Sequence, residues 1–161
     1  MLRQENNYAF IDGQNLYLGI RALGWHLDYR KFRRYLRERF GITKAYLFLG
    51  YIRENECLYH NLERWDFILM FKPTITIGSA VKGNIDADLV VQSMARIDNY
   101  NKALIISGDG DFYSLVGYLL GIGKLEAVLS PDFKSSSWLL RETAGKKIRF
   151  LSRFRSLLEY Q

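Results

Sequence analysis

At 161 residues, 48% hydrophobic and 25% charged, the chain has the size and balance of one soluble globular domain with a core of its own. No apolar run reaches the ~18 residues of a membrane span, and the polar start Met1–Asn7 lacks a signal-peptide core. The lone Cys57 excludes an internal disulfide and fits a reducing, cytoplasmic setting, while the net charge of +6 permits a polyanionic partner without requiring one.

Tyr8–Ile11 is a short apolar strand that stops at Asp12-Gly13. A helix follows with Leu16, Ile20 and Leu23 on one face, and Gly24 ends it. Asp28 caps a second helix, in which Tyr29, Phe32, Leu36 and Phe40 recur at helical spacing and face the core. Arg30, Arg33, Arg34 and Arg37 fall largely on its other side, as a solvated face or as a stripe that contacts phosphate. Gly41 closes this helix, and Lys44–Tyr51 is the second strand. Glu54–Trp65 reads as a helix with Leu58, Leu62 and Trp65 inward and Cys57 half-buried. Phe67–Phe71 is a third strand, and Pro73 before Thr74–Ile77 predicts one bent strand or two short ones at an edge. Gly78–Asn84 reads as a loop carrying Lys82-Gly83.

From Ile85 a helix runs to about Asp98 and buries Ile85, Leu89 and Met94. Asp86 and Asp88 lie in its first turn, where the helix dipole favours negative charge. Two residues on a helix are separated by about 200° of rotation, so Asp86 alone is expected to face a pocket. Ala103–Ile106 is a fourth strand, followed by Ser107-Gly108-Asp109-Gly110-Asp111-Phe112 and a helix to Leu120. The glycines flanking Asp109 allow a sharp turn that leaves its carboxylate open, and Asp111 can cap the helix. Leu125–Leu129 is a fifth strand. Ser135–Ser137 offer a serine cap to a helix from Trp138, Ile148–Leu151 is a last strand, and Arg153–Tyr160 a terminal helix. Strands alternating with helices predict a three-layer α/β/α sandwich on a mostly parallel sheet.

In such a sheet the carboxyl ends of the central strands share one edge. Asp12 and Asp109 converge there if the first and fourth strands are neighbours, with Asp86 beside them. Three or four carboxylates in one cleft need a cation, and oxygen-only ligation suits Mg²⁺ or Mn²⁺ and disfavours zinc. The chemistry this supports is metal-assisted hydrolysis of a phosphodiester. Asn15 can orient a ligand or a phosphate, and Ser107 can bond a neighbouring carboxylate or satisfy the strand end. His26 and His60 are isolated and expected at the surface, and Trp25 is a candidate for stacking on bases. No glycine-rich phosphate loop follows the first strand, which argues against nucleotide binding.

Three ordered motifs carry a resemblance. Phe10-Ile11-Asp12-Gly13-Gln14-Asn15-Leu16, Lys82-Gly83-Asn84-Ile85-Asp86-Ala87-Asp88-Leu89 and Ser107-Gly108-Asp109-Gly110-Asp111-Phe112 resemble the NYN domain family, the LabA-like branch of the PIN-like nuclease superfamily. The likeness covers about residues 6–152. It implies a PIN-like (Rossmannoid) sheet and an acidic catalytic metal site of Asp12, Asp86, Asp109 and Asp111. Asn15, Ser107 and Lys82 would position substrate. It further implies one or two Mg²⁺ or Mn²⁺ ions and RNA as substrate and partner; the lack of an apolar span predicts no membrane contact, and homo-oligomerisation is left open. The alternative is a weak or inactive module that binds RNA or a protein in a regulatory role.

Overall fold

The structure, a computed structural model, describes residues 4–72, 75–77, 80–82 and 85–161, with side chains for 4–72 and 85–161. In chain order, β1 (Asn7–Asp12) leads into α1 (Gly13–Ala22), α2 (Tyr29–Phe40), β2 (Ile42–Gly50), α3 (Glu56–Arg64) and β3 (Phe67–Lys72). A hairpin of β4 (Ile75–Ile77) and β5 (Ala80–Lys82) precedes α4 (Ile85–Ala95). Then come β6 (Ala103–Ile106), α5 (Tyr113–Gly121), β7 (Leu125–Ser130), α6 (Trp138–Ala144), β8 (Ile148–Phe150) and α7 (Arg155–Leu158).

Six strands form one sheet in the order β3-β2-β1-β6-β7-β8, and every pair is parallel. The chain winds outward from β1 to β3, returns, and winds the other way from β6 to β8. Strand order therefore reverses between β1 and β6, and a crevice opens beyond the carboxyl ends of those two strands. Both faces are covered, so the strands are apolar on both sides. Ala9, Ile11, Leu104 and Ile106 join the core beneath α1 and α2, while Tyr8, Phe10, Ala103 and Ile105 join the core beneath α4 and α5. That alternation has a consequence at the strand ends. Asp12 and Ser107 continue the second set, so both point toward the α4 side.

α2 begins and ends on the expected signals. Asp28 Oδ1 accepts the Lys31 N–H (3.0 Å), and Gly41 takes the left-handed conformation (φ 64°) that a side chain would strain. Of its five arginines, Arg33 departs from both readings of that face. It is 2% exposed, and its guanidinium donates to the carbonyls of Asp66 (3.0 Å), Ile42 (3.1 Å) and Thr43 (3.2 Å) and to Asp66 Oδ2 (3.0 Å). The fork ties α2 to the starts of β2 and β3. Arg33→Ala strands these acceptors and should lower unfolding free energy by about 3 kcal/mol in urea titration. Arg33→Lys should recover little, because an ammonium cannot span the same carbonyls. A loss under about 1 kcal/mol would mean that water satisfies them as well.

Several expectations change. Trp25 is 2% exposed and belongs to the core, so it cannot stack on a base. Cys57 is exposed rather than half-buried. Tyr59, not Leu58, is the inward partner of Leu62 on α3, since Leu58 is 41% exposed. The segment read as a loop contains β5, paired antiparallel with β4, which resolves the bent-or-split choice toward two strands. Pro73, Gly83 and Asn84 lie outside the described residues. Ser137 occupies the N-cap position of α6, but its hydroxyl makes no capping hydrogen bond. Among the described residues, no helix is long and apolar enough to cross a membrane.

Candidate metal centre

The crevice between β1 and β6 collects carboxylates from three separate segments. Asp12 ends β1 and caps α1, Asp86 lies in the first turn of α4, and Asp109 caps the short turn after β6. One carboxylate oxygen from each lies within 4.8 Å of the other two. Asp88, two residues beyond Asp86 on the same helix, is not in this group, as the rotation per residue requires.

Hydrogen bonds fix the arrangement. The Asn15 backbone N–H donates to Asp12 Oδ1 (3.2 Å), and the Ser107 hydroxyl donates to Asp12 Oδ2 (3.2 Å). Ser107 Oγ in turn accepts the Asp109 N–H (3.0 Å), so one serine links the two strand-end aspartates. Asp109 Oδ1 accepts the Asp111 N–H (2.9 Å), and Asn15 Oδ1 accepts the Gly108 N–H (2.9 Å). A carboxylate oxygen that accepts one hydrogen bond, as Asp12 Oδ1 and Oδ2 do, has a second lone pair.

The loop is also held from outside. The Ser137 N–H donates to the Gly108 carbonyl (2.9 Å). A Cβ on Gly108 would lie 2.7 Å from Ser130 Oγ, and one on Gly110 would overlap Ser137 Oγ. Neither glycine has a positive φ, so these glycines serve close approach rather than the sharp turn expected from sequence. The supporting role of Ser130 and Ser137 was not visible in the sequence. Serines ahead of a helix read first as caps.

A cleft of about 540 Å³ opens over the three carboxylates, walled by Leu18 and Ala22 of α1, Ile85 of α4, Pro131 and Ser135. Among the described residues no lysine or arginine lines it. The charges therefore act on one another. Burial pushes the Asp12 carboxyl above its usual range, the Asn15 and Ser107 hydrogen bonds draw it back, and Asp109 adds to the rise. Asp86 is pushed up to about 6, by burial first, then by the charges of Asp109 and Asp12, then by a hydrogen bond to Asp109 that its acid form makes, and last by Asp111. A bound cation would reverse this repulsion, and a set of hard oxygen donors without His or Cys fits Mg²⁺ or Mn²⁺.

Of the remaining sequence candidates, Asn15 lines the cleft and grips the loop, and Ser107 is buried between the aspartates. Asp111 is exposed and stands outside the group of three, near enough to raise Asp86. Lys82 ends β5, and its side chain lies outside the described residues. Removing the Asn15 side chain releases the Gly108 N–H, so Asn15→Ala should weaken divalent-ion binding about 10- to 100-fold in calorimetric titration. Unchanged ion affinity would show that the loop stands without it.

An all-parallel doubly wound sheet flanked by helices is consistent with a PIN-like fold. The chain belongs to the NYN domain family, which it matches over residues 8–151. That family lies within the PIN-like nuclease superfamily; its nucleases generally use a divalent metal, and its domains typically bind RNA. The fold is similar to a crystal structure of a protein of unknown function from Vibrio parahaemolyticus, at a TM-score of 0.83 and 20% identity over 99% of this chain and 100% of that one. No curated protein matches the chain.

Proposed function

We propose that the chain is a Mg²⁺- or Mn²⁺-dependent ribonuclease of the LabA-like branch, acting in the cytoplasm and hydrolysing RNA phosphodiester bonds in the acidic cleft. The observation that carries this is the meeting of Asp12, Asp86 and Asp109 within 4.8 Å at the sheet's switch point. These three would hold the ion, with Asp111 as an outer carboxylate at the rim. When bound, the ion would supply an activated water and charge neutralisation at the scissile phosphate. Ser107 keeps Asp12 and Asp109 in register, and Asn15 keeps the loop between them against α1. Lys82, ending the strand before α4, would meet a substrate phosphate.

The test is direct. Purified protein should cleave a labelled single-stranded RNA with added Mn²⁺, and EDTA should stop it. RNA that binds in EDTA but stays intact with Mn²⁺ would point instead to a binding module.

A further inference from the structure

The geometry points to a second RNA-contacting surface, a basic groove between α2 and α3 that takes the phosphate backbone of a single strand leaving the acidic cleft. It rests on RNA being the substrate class. The groove has a volume of about 690 Å³ and is lined by Arg30, Arg34 and Arg37 of α2 and by Arg64 and Trp65 at the end of α3. Positions 30, 34 and 37 are spaced by four and three, so they form one stripe facing the cation from α3. The acids lining it are already engaged. Asp66 is shared by Arg33 (3.0 Å) and Arg37 (3.7 Å), and Asp28 caps α2. Among the described residues Arg30, Arg34 and Arg64 make no ion pair. Like charges at this spacing weaken the helix, a cost that a bound phosphate backbone would offset.

A neighbouring cavity supplies the other requirement for single-strand binding. It holds about 620 Å³, shares Asp28, Arg30 and Trp65 with the groove, and adds Tyr17, Tyr29 and Tyr160. Tyr17 is 53% and Tyr160 67% exposed. Base-stacking rings beside a cationic track are what a sequence-tolerant strand needs. The same helix, α1, borders both cavities: Leu18 and Ala22 face the acidic cleft, and Tyr17 and Arg21 the aromatic one. A strand crossing this one ridge, about 10 Å wide, passes from the carboxylates to the rings and then to the arginines.

The experiment measures fluorescence anisotropy of a 12-nucleotide single-stranded RNA in EDTA, where no cleavage occurs, at several salt concentrations. The expected result for Arg30→Gln with Arg34→Gln is at least tenfold weaker binding. The salt slope should fall by about 1.4, as loss of two single-strand phosphate contacts requires. Tyr17→Ala should weaken binding roughly tenfold with the slope unchanged. A control pair of equal charge change on other elements, Lys102→Gln with Lys146→Gln, should stay within about twofold, as sites off the track require. Folding of each variant is checked by its melting temperature. Equal effects from both pairs, or none from the arginine pair, would overturn the groove. Because binding is read without metal, groove-dependent binding without nuclease activity leaves the groove standing and removes the enzyme reading. Cleavage that survives with groove-independent binding does the reverse.

Discussion

Asp109→Asn should abolish the proposed Mn²⁺-dependent RNA cleavage, by about 10³-fold or more in kcat, while the fold remains intact. Two separate facts give this result. Asp109 is one of the three carboxylates that would hold the ion, and an amide in its place would leave too little negative charge to hold a hard cation in competition with water. Yet its structural contact survives, because an asparagine oxygen can still accept the Asp111 N–H that Asp109 Oδ1 now accepts. Asparagine is also as good a cap as aspartate. The substitution therefore separates chemistry from folding. Assays at 1 mM Mn²⁺ with matched melting curves check it. Retained activity in pure variant protein would remove Asp109 from the site.

Asp86→Asn should also lose cleavage, but with the opposite effect on stability in the metal-free protein. Asp86 has a folded pKa of about 6 against an ordinary value of 3.8. A carboxyl whose folded pKa is raised binds its proton more tightly when folded, so its ionised form weakens the fold above about pH 6. That penalty is relieved as pH falls from 6 toward 4. In EDTA, then, wild-type protein should melt higher at pH 5 than at pH 7.5. At pH 7.5 Asp86→Asn should melt above wild type by about 3 °C and show a smaller gain on acidification. Asp12, raised by burial, leaves part of the pH dependence in place. Saturating Mn²⁺ should invert the order, since at 100 times Kd it stabilises only the binding-competent wild type, by about 2.7 kcal/mol. Identical melting curves for wild type and variant in EDTA would show that the carboxylates do not strain one another.

Much of this site is written into local sequence. β1 is an apolar run that stops on Asp12 and β6 one with Asp109 three residues beyond it, and the pairing of the two strands meets the condition on which Asp12 and Asp109 converge. Asp86 over Asp88 followed from rotation about a helix axis. What could not be read depends on contacts between distant segments. Arg33 has the same sequence surroundings as Arg30 and Arg34, and only the carbonyls presented by the starts of β2 and β3 make it a core residue. Trp25 sits between a glycine and a histidine, a setting typical of a surface loop, yet it is enclosed by the core around α1 and α2. Gly108 and Gly110 were read for conformational freedom. The serines that crowd them come from a segment more than twenty residues away, which no local pattern reports. β5 escaped because a three-residue strand carries too few positions to display a period.

The central claim is that Asp12, Asp86 and Asp109 together hold one divalent ion. Crystals soaked in millimolar Mn²⁺ and measured for anomalous scattering test it most directly. A peak is expected within bonding distance of a carboxylate oxygen from each of the three residues. Crystals with no peak at that position, or with Mn²⁺ bound elsewhere while these carboxylates stay empty, would contradict it.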